Sequence, residues 1–118
     1  MLTLPSNVSI RLYRNPVNMG LSFDGLIGLV RNAMLSDPTN GTLFVFRNRI
    51  GDKLKILYWD NDGFAIWYKR LESGTFLLPV FQDETNTATL TRAQLSMLLE
   101  GLSFANARQR KRFSKKSA

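Results

Sequence analysis

The stretch Lys53-Leu54-Lys55-Ile56-Leu57-Tyr58-Trp59-Asp60-Asn61-Asp62-Gly63-Phe64-Ala65-Ile66-Trp67-Tyr68-Lys69-Arg70 decides how this chain folds. It is rich in aromatic and aliphatic residues and is broken once, by a polar Asp-Asn-Asp-Gly cluster of the kind that makes a tight turn. The pattern predicts a hairpin of Lys53 to Trp59 against Phe64 to Arg70. A three-residue loop, Asn61-Asp62-Gly63, puts Gly63 where a left-handed residue forms a bulge. In that register Asp60 faces Phe64, Tyr58 faces Ile66 and Ile56 faces Tyr68. One face then presents Leu54, Ile56, Tyr58, Phe64, Ile66 and Tyr68 to a core. The other presents Lys53, Lys55, Leu57, Trp59, Ala65, Trp67 and Lys69. A slip of one residue mixes the two sets, so the pattern itself favours this pairing.

Upstream, Thr42 to Arg47 reads as a further strand of the same meander, and Val8 to Tyr13 alternates with period two as a half-buried strand. Between them, Phe23, Leu26, Ile27, Val30 and Met34 form the stripe of an amphipathic helix, entered at Ser22 and running to about Leu35. Asp37-Pro38 and Asn40-Gly41 end it. Downstream, Thr75 to Leu78 predicts a short strand ended by Pro79, and the polar run 82–89 reads as loop. A second helix is sharply marked. Thr91 and Gln94 form a capping box, Leu90 and Leu95 a hydrophobic staple, and Gly101 the C-terminal stop. Leu95, Leu98, Leu99 and Leu102 are its buried stripe. The expected architecture is α+β: a largely antiparallel sheet of four to five strands with both helices on one face.

The chain has 118 residues, enough for a single domain. Its net charge of +7 is unevenly placed. Arg108, Arg110, Lys111, Arg112, Lys115 and Lys116 crowd a tail over 105–118, beyond a domain spanning 1–104. Without those six, ten basic residues stand against nine acidic ones. A nearly neutral domain with a cationic arm suits a polyanion, because Lys and Arg release counterions condensed on phosphates. A membrane is the weaker partner, with only Phe113 as an apolar anchor in the arm. No apolar run nears the ~20 residues of a membrane span, and the N-terminus lacks the pattern of a signal peptide. The absence of cysteine fits a reducing cytoplasm.

The chain has no histidine and no cysteine, so the commonest general base and the usual zinc ligands are missing. The acids are spread out, and Asp60 with Asp62 is explained by a turn. No catalytic residue, metal or cofactor is therefore assigned. The candidate binding surface is the mixed hairpin face: Trp59 and Trp67 beside Lys53, Lys55 and Lys69, with Arg47, Arg49 and Arg70 near the strand ends. Aromatic rings flanked by cations can stack bases while holding phosphates. In the competing reading the tryptophans cover a helix and the lysine stems run past them to water.

The segments Leu43-Phe44-Val45-Phe46-Arg47-Asn48-Arg49, Gly51-Asp52-Lys53-Leu54-Lys55-Ile56-Leu57-Tyr58-Trp59-Asp60, Gly63-Phe64 and Tyr68-Lys69-Arg70-Leu71-Glu72 resemble a known family. So do Phe23-Asp24-Gly25-Leu26 and Leu90-Thr91-Arg92-Ala93-Gln94-Leu95. The likeness is to the small accessory protein, TnpB, encoded by the second reading frame of insertion sequence 66 elements in bacteria. It extends over residues 4 to about 104. Members usually carry Asp-Met-Arg-Lys-Gly where this chain has Asn18-Met19-Gly20-Leu21-Ser22, and a tryptophan where it has Leu78. The resemblance implies a non-catalytic role in transposition, the chemistry residing in a separate transposase. DNA is the first expected partner. A protein adaptor that docks on the transposase is the alternative.

Overall fold

The computed structural model describes residues 7–100. Chain order is β1 (Ile10–Tyr13), α1 (Phe23–Asn32), β2 (Leu43–Arg47), β3 (Lys53–Asp60), β4 (Gly63–Arg70), β5 (Thr87–Leu90) and α2 (Arg92–Glu100). The strands form one five-stranded sheet in the order β4-β3-β2-β1-β5. β1 and β2, joined through α1, are parallel; the other neighbours are antiparallel. The fold is α+β, as the pattern of elements predicts.

The expected strand at Thr75–Leu78 does not form. That segment is irregular, held by the Phe76 N–H donating to Gly51 O at 2.7 Å, with the Phe76 ring buried. The strand that completes the sheet lies instead in Thr87-Ala88-Thr89-Leu90 and pairs with β1. Polar as it looks, it is held through the backbone groups that face β1, and only Leu90 is buried.

The helices sit on opposite faces of the sheet, not on one. Leu43 and Val45 of β2 pack with Leu54 and Ile56 of β3 and with Leu95 and Leu98 of α2. The alternate residues Phe44 and Phe46 pack with Leu57, and with Leu26 and Val30 of α1. Successive side chains leave opposite faces of a strand, so two cores exist, one under each helix. The unbroken apolar run Leu43-Phe44-Val45-Phe46, buried throughout, is what a strand covered on both sides requires.

The hairpin register also differs by one residue from the predicted one. Asp60 pairs with Gly63, Trp59 with Phe64, Leu57 with Ile66 and Ile56 with Trp67. The loop closes over two residues because Asn61, at φ 65°, takes the left-handed position, and the Asp62 N–H bonds Asp60 O at 2.6 Å. Asparagine tolerates that region, so Gly63 is released into the strand. With apolar residues needed on both faces, the pattern held no penalty against the slip.

The capping box is present as expected. The Thr91 N–H donates to Gln94 Oε1 at 2.9 Å, and the Gln94 N–H to Thr91 Oγ1 at 3.0 Å. Gly101 and Leu102 lie outside the described residues. α1 stops at Asn32, and Leu35 then adopts φ 53° and is 82% exposed. A leucine there is strained and gains little by burial. Leu35→Gly is expected to raise the unfolding free energy by about 1 kcal/mol, read from urea melts.

Candidate nucleic-acid interface

The sheet places its cations along one end. β1 and β2 run parallel and finish there, β3 begins there and β4 ends there. Arg70 pairs directly across from Lys53, and Arg47 from Leu54. Arg14 follows β1, and its carbonyl accepts a hydrogen bond from Arg47 Nη2 at 3.3 Å. Arg49 lies in the loop between β2 and β3, and Lys69 is the penultimate residue of β4. The opposite end carries Asp60 and Asp62 in the β3–β4 turn, with Asp37 leading toward β2. Six cations thus gather at one end of the strands, with Asp52, Glu72 and Asp83 among them.

Much of the cationic end is already partnered. Arg14 meets Asp83 at 2.7 Å, Lys53 meets Asp52 at 3.6 Å and Arg70 meets Glu72 at 2.7 Å. Arg14 also lies 4.7 Å over the Phe81 ring. Arg47 is half-buried, which lowers its pKa, and its Nε has no hydrogen-bond partner among the described residues. Arg49 and Lys69 are exposed and form no ion pair with the described acids.

Two open clefts flank this end. One, of about 500 Å3, lies between Pro16-Val17-Asn18-Met19 and the loop bearing Asn48, Arg49, Ile50 and Lys53. The Asn18–Ser22 stretch that departs from the family pattern therefore stands beside Arg49. The other, of about 490 Å3, brings Arg14 and Arg47 beside Phe81 and Glu84. Asn48 organises the loop: its Oδ1 accepts from the N–H groups of Gly51 and Lys53, both at 3.0 Å, and its Nδ2 donates to Asp52 at 2.7 Å. Gly51, at φ 89°, is at an angle that side chains rarely adopt.

Other predicted residues are placed elsewhere. Lys55 is buried, its ammonium donating to Met19 O at 2.9 Å and Leu21 O at 2.7 Å. Trp59 and Trp67 lie on opposite faces, because the one-residue register change separates them. Trp59 sets its ring edge-on to Phe64 at 5.0 Å, while Trp67 packs against the core under α2. The two rings make no common stacking platform. Arg14 was missed by sequence reading; its position after a strand paired in parallel with the Arg47 strand could not be seen without the topology. Arg108, Arg110, Lys111, Arg112, Lys115 and Lys116 lie outside the described residues.

Among the described residues, no three acids come together to hold a metal, and no helix is long and apolar enough to cross a membrane. The Asp52 carboxyl lies below the usual carboxylate range, chiefly through the Asn48 side chain, and Asp37 and Asp83 lie low through Thr39 and Thr85. A lowered folded pKa gives stability that is complete above the unfolded value of about 3.9 and is lost as pH falls through the folded one. Carboxyl titration by NMR is expected to place Asp52 below the usual carboxylate range, and Asn48→Ala to move it upward.

A model of the family described as IS66 Orf2 like protein matches residues 8–109. The chain is 34% identical over 101 residues to the uncharacterized protein y4jC of Sinorhizobium fredii (strain NBRC 101917 / NGR234), a span covering 86% of this chain and 85% of that protein. It is 32% identical over 109 residues to the uncharacterized protein y4hO of the same strain, covering 92% and 93%. No solved structure matches.

Proposed function

The chain belongs to the family of IS66 Orf2 like proteins, accessory proteins of a bacterial insertion sequence, and from that premise we propose that it assists transposition by binding DNA through the phosphate backbone. The observation that carries this reading is the gathering of Arg14, Arg47, Arg49, Lys53, Lys69 and Arg70, distant in sequence, at one end of the sheet. Arg49 and Lys69 are its exposed, unpaired charges, and the tail cations add affinity. Such contacts hold a duplex in position without reading its bases. Lys55 and the two tryptophans have no contact role in this reading: the ammonium is spent on carbonyls, and the rings face apart.

The adaptor reading draws on that same separation of Trp59 and Trp67, which removes the base-stacking surface. It also draws on the acids Asp52, Glu72 and Asp83 that tie up half the rim. Fluorescence anisotropy of a labelled duplex, titrated with the full chain and with a version ending at Asn106 over a range of salt, separates the two. Weaker binding with a flatter salt slope on truncation is expected if the domain has its own DNA surface. Complete loss on truncation turns the search to the transposase.

A further inference from the structure

β4 is an edge strand of eight residues, and among the described residues nothing pairs with its outer side. Leu71 donates its N–H to Asp52 O at 2.7 Å, so the odd-numbered residues of this strand direct their backbone groups toward β3. Phe64, Ile66, Tyr68 and Arg70 therefore turn theirs to the open edge. Natural edges are usually protected by proline, a bulge, an inward charge or shortness. The other edge of this sheet, β5, is four residues long. β4 pairs with β3 continuously, without a bulge, and Phe64 to Tyr68 contains neither proline nor charge. Tyr68, on this strand, is 49% exposed.

The ends of the strand differ in charge. Asp60 and Asp62, both exposed, stand at its beginning, and Lys69 and Arg70, both exposed, at its end. A second copy laid parallel would set like on like. Laid antiparallel, it brings Lys69 and Arg70 toward Asp60 and Asp62 at both ends at once, although Arg70 already holds Glu72 at 2.7 Å.

We propose that the open edge of β4 binds β4 of a second copy of this chain, antiparallel about a two-fold axis, joining two sheets into one. A register centred on Ile66 satisfies the backbone alternation and brings Arg70 to Asp62. Ile66 lies on the axis and meets its own counterpart. Phe64 stands against Tyr68 and the small Ala65 against the large Trp67, while Lys69 and Arg70 lie beside Gly63 and Asp62. Isologous contact of this kind closes on itself, so the assembly stops at two.

The test is the mass of the full chain by sedimentation equilibrium without DNA, which keeps this proposal separate from the DNA reading. Two chains are expected at micromolar concentration. Tyr68→Pro removes an edge-facing N–H and leaves the β3 ladder intact, so a folded protein of single-chain mass is expected, with circular dichroism checking the fold. Lys69→Glu with Arg70→Glu is expected to weaken pairing at least tenfold, and adding Asp60→Lys and Asp62→Lys to restore it. A monomer at all concentrations overturns the proposal, whether the edge is bare or covered by the chain's own tail. A dimer indifferent to folded Tyr68→Pro, or not rescued by the charge swap, overturns it too.

Discussion

Replacing Lys55 by alanine is expected to lower the unfolding free energy by about 3 kcal/mol, measured by urea melts. Lys55 is 7% exposed, and its ammonium bonds two backbone carbonyls, Met19 O and Leu21 O, with the Tyr68 ring 4.7 Å away. Those carbonyls belong to the segment that crosses from β1 to α1. Lys55 is thus the clasp between that segment and the sheet. Truncation leaves two half-buried acceptors without their donor and opens space beneath α1, and both effects act in the same direction. Lys55→Met keeps the stem and should recover part of the loss, because its methylenes still cover the sheet. DNA affinity of the folded variants, measured well below their melting midpoints, is expected to stay within about twofold of the parent. If stability holds and DNA affinity falls severalfold instead, Lys55 is a phosphate ligand and the clasp is not its role.

Lys55 also shows where sequence reading stops. An alternating Lys-Leu-Lys-Ile pattern looks like one wet and one dry face, and Lys53 obeys it by staying half-exposed at the rim. Two residues further into the sheet, the same side of the strand lies under α1 and the connection before it. Nothing local distinguishes those two lysines; only the crossover helix, a non-local feature, does. The capping box at Thr91 was legible because its partners are three residues apart and satisfy each other's backbone. The α1 stripe was legible because the 3.6-residue period is local. The hairpin register was not, since its arbiter was assumed to be a single buried face and the sheet has two. β5 was hidden for a related reason: a strand stitched to β1 by backbone bonds needs little from its side chains. The proposed binding surface was half legible. Arg47, Arg49, Lys53, Lys69 and Arg70 were named from one hairpin and its flank. Arg14 joins them through parallel pairing of distant segments.

Arg49→Ala combined with Lys69→Ala is expected to reduce duplex affinity of the full chain roughly thirtyfold near physiological salt, since counterion release gives about fivefold per phosphate contact there. The slope of log affinity against log salt should shrink by about two, one for each contact removed. These two positions are chosen because both side chains are exposed and neither is committed to a described acid, so their removal leaves the fold's ion pairs intact. Lys53 and Arg70 are poorer probes. Each already faces a carboxylate, so truncation also frees Asp52 or Glu72 to repel the duplex and inflates the apparent loss. Arg31 serves as the control: it lies exposed in the last turn of α1, away from the rim. Arg31→Ala changes net charge by the same amount as either single variant. If location matters, it should lower affinity far less than Arg49→Ala, with little change in slope. Equal losses for Arg31→Ala and Arg49→Ala mean that the duplex senses only total charge, and the rim is then no site. An unchanged slope for the double variant leaves the tail as the sole DNA contact and makes the folded domain the part that addresses the transposase.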